Sequence, residues 1–277
     1  MSGSLLLLFV FLSAFLAPPL SRLLRMPVPV GELVIGLLLG HFLAQGVALP
    51  EILGFLADFG FLLLMFLAGL EVDFNLLRQL ERRHFVFYAL YVVGMFLGAG
   101  LLAGLLGVGL AQALILALVS IGLMVATLRD MGILGRAFAK RVLILGVLGE
   151  VASLFGLTAM EKAAHYQGLL SLLKEVGIIA LFFLLLFLAF RLAGLFLWWY
   201  PEVGRRLVYE EDPSAMGIRL SLALMFAAAV MSGLVGLESV LGAFLAGMIL
   251  SYFLQKKHDL EAKLSAMGYG FLIPIFF

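Results

Sequence analysis

Nine long apolar runs, each able to cross a lipid bilayer, dominate this sequence and limit what it can fold into. They lie near residues 4–20, 27–46, 52–71, 85–107, 110–128, 142–161, 176–199, 214–233 and 236–254, and a partial tenth begins near 265. A helix of about 20 residues is about 30 Å long, which matches the hydrocarbon core of a membrane. In lipid the backbone groups of such a run pair within their own helix, because no water is there to satisfy them. The expected fold is therefore all-α: a polytopic membrane protein forming a single transmembrane domain over residues 1–277. Composition agrees, with 64% hydrophobic and 13% charged residues, against about 45–50% and about 25% in soluble domains.

The first run ends in small residues, as a signal peptide does. Its first arginine, Arg22, comes after the apolar stretch rather than before it, so it reads as a first membrane helix. Positive charge sets orientation in such proteins. Of the eighteen Lys and Arg residues, only Lys162 and Lys174 fall on one side of the expected helices. The others, including Arg78, Arg129, Arg136 and Arg205, crowd the other side, mostly in the connections after segments 1, 3, 5, 7 and 9. That asymmetry places the N-terminus outside and those connections in the cytoplasm, where the charges read as solvated topology determinants. A net charge of +1 gives no field for nucleic acid. With no cysteine, disulfides and thiolate chemistry are excluded.

Two stretches recur in order. "GELVIGLLLG" (31–40) resembles "LESVLGAFLAG" (237–247), pairing Glu32 and Gly36 with Glu238 and Gly242. "FGFLLLMF" (59–66) resembles "YGFLIPIF" (269–276) at nearly the same offset. Segments 2 and 3 thus read as repeated in segments 9 and 10. An odd number of crossings separates the copies, so the second is inverted, which is the footprint of secondary transporters. Similarity of composition alone among Gly-, Leu- and Phe-rich helices is the other account.

"LGVLGEVASLF" (145–155) puts a carboxylate, Glu150, within an apolar run. Counted from Val142, it sits about 12 Å into its helix, near the middle of a core about 30 Å thick. An ionised group there costs several kcal/mol. Glu150 is either neutral glue between helices or a carrier that exchanges its proton for a visiting cation. Gly149, Ser153 and neighbouring small residues would let another backbone approach, and they are also ordinary packing features. In "ALVSIGLMVATL" (117–128), Ser120 and Gly122 lie mid-segment. They permit local unwinding, which would free carbonyl oxygens for a dehydrated cation. A continuous helix, with Ser120 bonded to its own preceding turn, is the alternative. Thr127 reads as structural. Asp58, Glu71, Asp73, Glu32 and Glu238 sit near segment ends and read as solvated caps. His41 alone makes no metal site, and no nucleophile–base spacing supports an enzyme.

Together "MPVPVGELVIGLLLG" (26–40), "LADFGFLLLMFLAGLEVD" (56–73), "LRDMGILGR" (128–136), "GVLGEVASL" (146–154), "LGAFLAGMILS" (241–251) and "GFLIPIFF" (270–277) resemble the monovalent cation:proton antiporter-2 family. That family holds sodium/proton antiporters and Kef-type potassium/proton relatives. The resemblance implies an inverted-repeat fold with segments 1–2 and 7–9 on a dimerisation side. Segments 3–6 and the partial tenth would form a core transport side that moves like an elevator. It implies a homodimer in a bacterial inner membrane. It further implies truncation at the C-terminal end relative to the family, with the second half of the core absent. It also implies that Glu150 aligns with the second, ion-binding residue of a polar pair whose first member is replaced by Gly149. Val119 and Ser120 stand where some members carry a Thr-Ser pair. Without the first acid, electroneutral exchange of protons for sodium or potassium is expected, with no cofactor and no metal beyond the transported alkali cation. A cation channel on the same fold, and a non-transporting subunit or incomplete fragment, are the competing readings.

Overall fold

The computed structural model describes residues 3–43, 51–72, 82–117, 120–134, 136–164, 215–235, 237–253 and 258–277, with isolated positions between 177 and 199. Every regular element among these residues is helical. In order they are α1 (Gly3–Leu23), α2 (Val28–Leu43), α3 (Glu51–Leu70), α4 (Arg82–Leu106), α5 (Leu110–Leu116) and α6 (Ile121–Asp130). There follow α7 (Ala137–Ala164), α8 (Met216–Leu234), α9 (Ser239–Phe253), α10 (His258–Met267), a π-helical turn (Gly268–Leu272) and α11 (Ile273–Phe276).

Apolar runs locate the membrane-crossing part of a helix, not its ends. The sixth segment was expected from 142 and its helix starts at Ala137. The tenth was expected from 265, and its helix starts at His258. In both cases a polar first turn or two lies ahead of the apolar stretch. The seventh segment, 176–199, lies largely outside the described residues. The fifth, 110–128, is not one helix. It stops at Leu116 and restarts at Ile121, so the continuous-helix alternative is excluded.

Helix α3 is the centre of the bundle. Residues Leu63 to Leu70 are all buried. One face, with Leu63, Leu64, Phe66, Leu67 and Leu70, packs against Met225 of α8, Ala243 and Ala246 of α9, and Leu260, Leu264 and Leu272 of the last helical stretch. Its other face, Met65 and Ala68, meets Ile121, Val125 and Leu128 of α6, Ala139 and Leu143 of α7, and Phe244 of α9.

The α3–α9 crossing depends on two glycines. A Cβ at Gly69 would run into the Phe244 carbonyl oxygen and lie 3.1 Å from the Gly247 Cα. A Cβ at Gly247 would run into the Phe66 carbonyl oxygen. Between helices in lipid there is no hydrophobic gain, so close backbone approach and dispersion hold them together. This tight seam keeps α3 in place as the wall against which α6 sits.

Candidate functional site: a helix break closed by α7

The break between α5 and α6 leaves backbone groups without intrahelical partners on both sides. Ser120 has extended dihedrals, φ −98° and ψ 104°, and ends the break as the N-cap of α6. Its Oγ accepts a long hydrogen bond from the Leu123 N–H at 3.4 Å. Serine is favoured there because its oxygen satisfies one of the free N–H groups of the first turn.

Two residues one turn apart on α7 close the rest. Glu150 Oε2 accepts a hydrogen bond from the Ile121 N–H at 2.7 Å. Ser153 Oγ lies 3.0 Å from the Ala117 carbonyl oxygen, at the end of α5, and 2.7 Å from the Gly149 carbonyl oxygen. Residues three apart share a helix face, so the acid meets the donor side of the break while the hydroxyl donates towards its acceptor side. Glu150 lies midway along the 28-residue α7. Ile121 and Ser153 are buried, and Glu150 is half-buried.

Glycines allow this approach. A Cβ at Gly122 would lie 2.9 Å from Leu64 of α3, and one at Gly146 would lie 2.9 Å from the Met124 sulfur of α6. The geometry joins a carboxylate to the positive end of a helix. Around it are oxygen atoms of Ser153 and the Ala117 carbonyl. Such an all-oxygen set suits a proton or a hard monovalent cation.

The family model for the transmembrane sodium/hydrogen exchanger matches residues 11–277. The chain belongs to the sodium/hydrogen exchanger family. It is 28% identical over 98% of its length to a protein of Bacillus subtilis (strain 168) named as a Na(+)/H(+) antiporter, and spans 46% of that relative. It is 29% identical to a Na(+)/H(+) antiporter of Enterococcus hirae over 98% of this chain and 70% of the relative. It is 27% identical to a Na(+)/H(+)-K(+) antiporter of Bacillus cereus over 97% of this chain and 68% of the relative. The chain thus spans about half the length of the Bacillus subtilis relative and about two thirds of the other two. As a member of this family, whose relatives are transporters, it is an integral membrane protein.

In this family member the other residues singled out from sequence are scattered. Gly122 packs on α3, and Gly149 is buried with its carbonyl facing Ser153. Ser120 caps α6 through its hydroxyl rather than meeting Glu150 through it. Val119 lies outside the described residues, as does Asp73. Asp58, Glu238 and His41 are exposed. Glu32 is not a solvated cap. It is half-buried beside a cleft of about 250 Å³, with Phe9, Ser13, Gly36 and Phe277 among its walls. The first N–H of α2, that of Val28, donates instead to Asp130 Oδ2 at 3.0 Å. Glu32 stands in the second turn of α2, past the groups a cap would serve.

Arg129 also departs from its reading as a solvated topology charge. Its Nη1 donates to Ser265 Oγ at 2.9 Å, and its guanidinium lies 4.8 Å from the Tyr269 ring centroid. Sequence reasoning missed this contact because Arg129 and Ser265 are 136 residues apart. Arg129 in the last turn of a mid-chain half-helix was the available signal.

Proposed function

We propose that this chain is the cation-binding part of an antiporter that exchanges protons for sodium or potassium across a bacterial inner membrane. Glu150 carries either a proton or the cation. Ser153 and the carbonyl freed at Ala117 supply further oxygen ligands as the cation sheds water, while Ser120 holds the start of α6. The observation that carries the reading is the 2.7 Å hydrogen bond from the Ile121 N–H to Glu150 at the break. A mid-helix acid that serves only as packing glue has no need of an interrupted neighbour. An interrupted helix near mid-membrane is the usual way a transporter presents backbone groups to an ion. The names of the relatives support sodium, and that of the Bacillus cereus relative supports potassium as well.

With Gly149 rather than a second acid beside Glu150, one charge is exchanged for one charge, so the exchange is electroneutral. The inverted repeat belongs to the same proposal and has packing in its favour. If α2 and α3 are repeated in α9 and the last helical stretch, the α3–α9 seam requires a counterpart between α2 and that stretch. Gly36 of α2 does face its end, and a Cβ there would come within 2.5 Å of the Phe277 carbonyl oxygen. On this reading α1–α2, segment 7 and α8–α9 form the dimerisation side of a homodimer, α4–α7 belong to the moving core, and the N-terminus lies outside. Helix α3 and the last stretch, expected in that core, pack with α8 and α9 in one cluster through the Gly69–Gly247 seam, so on this reading they stay with the dimerisation side.

The test is the Glu150→Gln variant, reconstituted in liposomes with a proton gradient. Gln keeps the shape and an oxygen acceptor for Ile121 but cannot titrate. Sodium- or potassium-driven proton movement should fall to the level of empty liposomes. Flux at the wild-type rate would refute the role of Glu150.

A further inference from the structure

Helix α6 is ten residues long and is held at both ends by polar contacts. At its start the Ile121 N–H meets Glu150. At its end, about 12 Å away along the axis, Arg129 reaches the last helical stretch through Ser265 and Tyr269. Ser265 is 4% exposed, so this contact is interior to the bundle rather than a surface pair. Tyr269 lies in the π-helical turn, a wider helix turn that is uncommon outside functional places. Its hydroxyl is buried without a well-formed hydrogen bond among the described residues, and Arg129 is the cation that faces both the ring and that hydroxyl.

The middle of α6 has no such directional contact. Gly122, Val125 and Ala126 pack against apolar side chains of α3, α7 and α9, contacts that hold the helix closely but carry no hydrogen-bond direction. The planar guanidinium is different, because its fork and its stacking fix both distance and angle.

We infer that Arg129 is a positioning residue for the ion site: by gripping Ser265 and the Tyr269 ring it fixes α6 along its axis, and so sets where the Ile121 N–H meets Glu150. The inference rests on the proposed role of Glu150. It adds that the affinity of the site is controlled from the far end of the half-helix. Coupling between distant places in one protein typically changes affinity by about 5–150-fold, so losing this remote restraint should weaken cation binding by about tenfold.

Binding of radioactive sodium to the purified full chain tests it, with the dissociation constant as the readout. Arg129→Gln should raise that constant about tenfold. Arg129→Lys, which keeps the charge but loses the fork, should not restore it. Tyr269→Phe, which keeps the ring, should weaken binding less than Tyr269→Leu, which should weaken it as Arg129→Gln does; this keeps the question open to test if the arginine variant fails to fold. Full recovery with Lys would overturn the inference, because a charge needed only for topology is satisfied by either residue. Equal loss in Tyr269→Phe and Tyr269→Leu would overturn the role of the ring face. Wild-type affinity in Glu150→Gln would sink the site itself. Loss in Glu150→Gln beside unchanged binding in Arg129→Gln would sink only the positioning role.

Discussion

Helices α3 and α4 are both long and apolar enough to cross a membrane, yet they occupy opposite environments. Of the most apolar window in each, 44% is buried in α3 and 11% in α4. In a soluble protein, hydrophobicity separates inside from outside. In a bilayer the surroundings are as apolar as the core, so hydrophobicity stops discriminating and shape decides. The glycines make the difference visible. Gly60 and Gly69 of α3 lie against the backbones of neighbouring helices. Gly94, Gly98, Gly100 and Gly104 of α4, like Gly54 in the first turn of α3, have nothing among the described residues within 4 Å of where a Cβ would be. The same residue type therefore marks a seam in the inner half of α3 and a face without contacts among the described residues in α4.

Substitutions at matched positions would sharpen that contrast. The largest effect is expected for Gly247→Leu or Gly69→Leu, where a side chain would strike a backbone carbonyl of the partner helix. The helices must separate, at a cost at or above about 3 kcal/mol, the upper end of ordinary overpacking. Gly98→Leu in α4 should stay within about 0.5 kcal/mol, as substitutions away from packed features do. Unfolding in mixed micelles measures both, and equal losses would break the distinction between seam and surface. A smaller gap is expected between Leu67→Ala, 1% exposed, and Leu101→Ala, 71% exposed. In a soluble core a buried Leu→Ala change costs about 2–5 kcal/mol. Here the transfer part vanishes, because lipid tails replace water as the alternative surroundings. The remaining packing loss at Leu67 should be about 1–2 kcal/mol, with Leu101→Ala near zero by the same assay.

Legibility in the sequence followed the same division. Run length located most of the helices, because backbone pairing in lipid leaves no other option. It misjudged the start of the last stretch by about two turns, since "HDLEAKL" is helical outside the apolar slab and carries no membrane signal. Glu150 stood out because an acid inside an apolar run is conspicuous in one dimension, and the structure sets it against the helix break. Ser120 and Gly122 marked a place where a break was possible, but only the three-dimensional structure separates a broken helix from a continuous one. The hydroxyl of Ser120 turned out to cap α6, which any N-cap serine can do and which no spacing distinguishes from ion ligation. Ser153 was singled out as small, whereas its position opposite the Ala117 carbonyl comes from packing. Glu32 and Arg129 were misread for a shared reason. What surrounds them, the Phe277 end of the chain for one and Ser265 for the other, is far away in sequence.

The central claim is that a cation displaces the proton of Glu150 where α7 closes the broken helix. Infrared difference spectroscopy on the reconstituted protein tests it most directly, by comparing spectra with and without sodium at fixed pH. The protonated-carboxyl band should diminish and a carboxylate band should appear on adding sodium, and both changes should be missing in Glu150→Gln. A sodium-induced spectrum identical in wild type and variant would contradict the account.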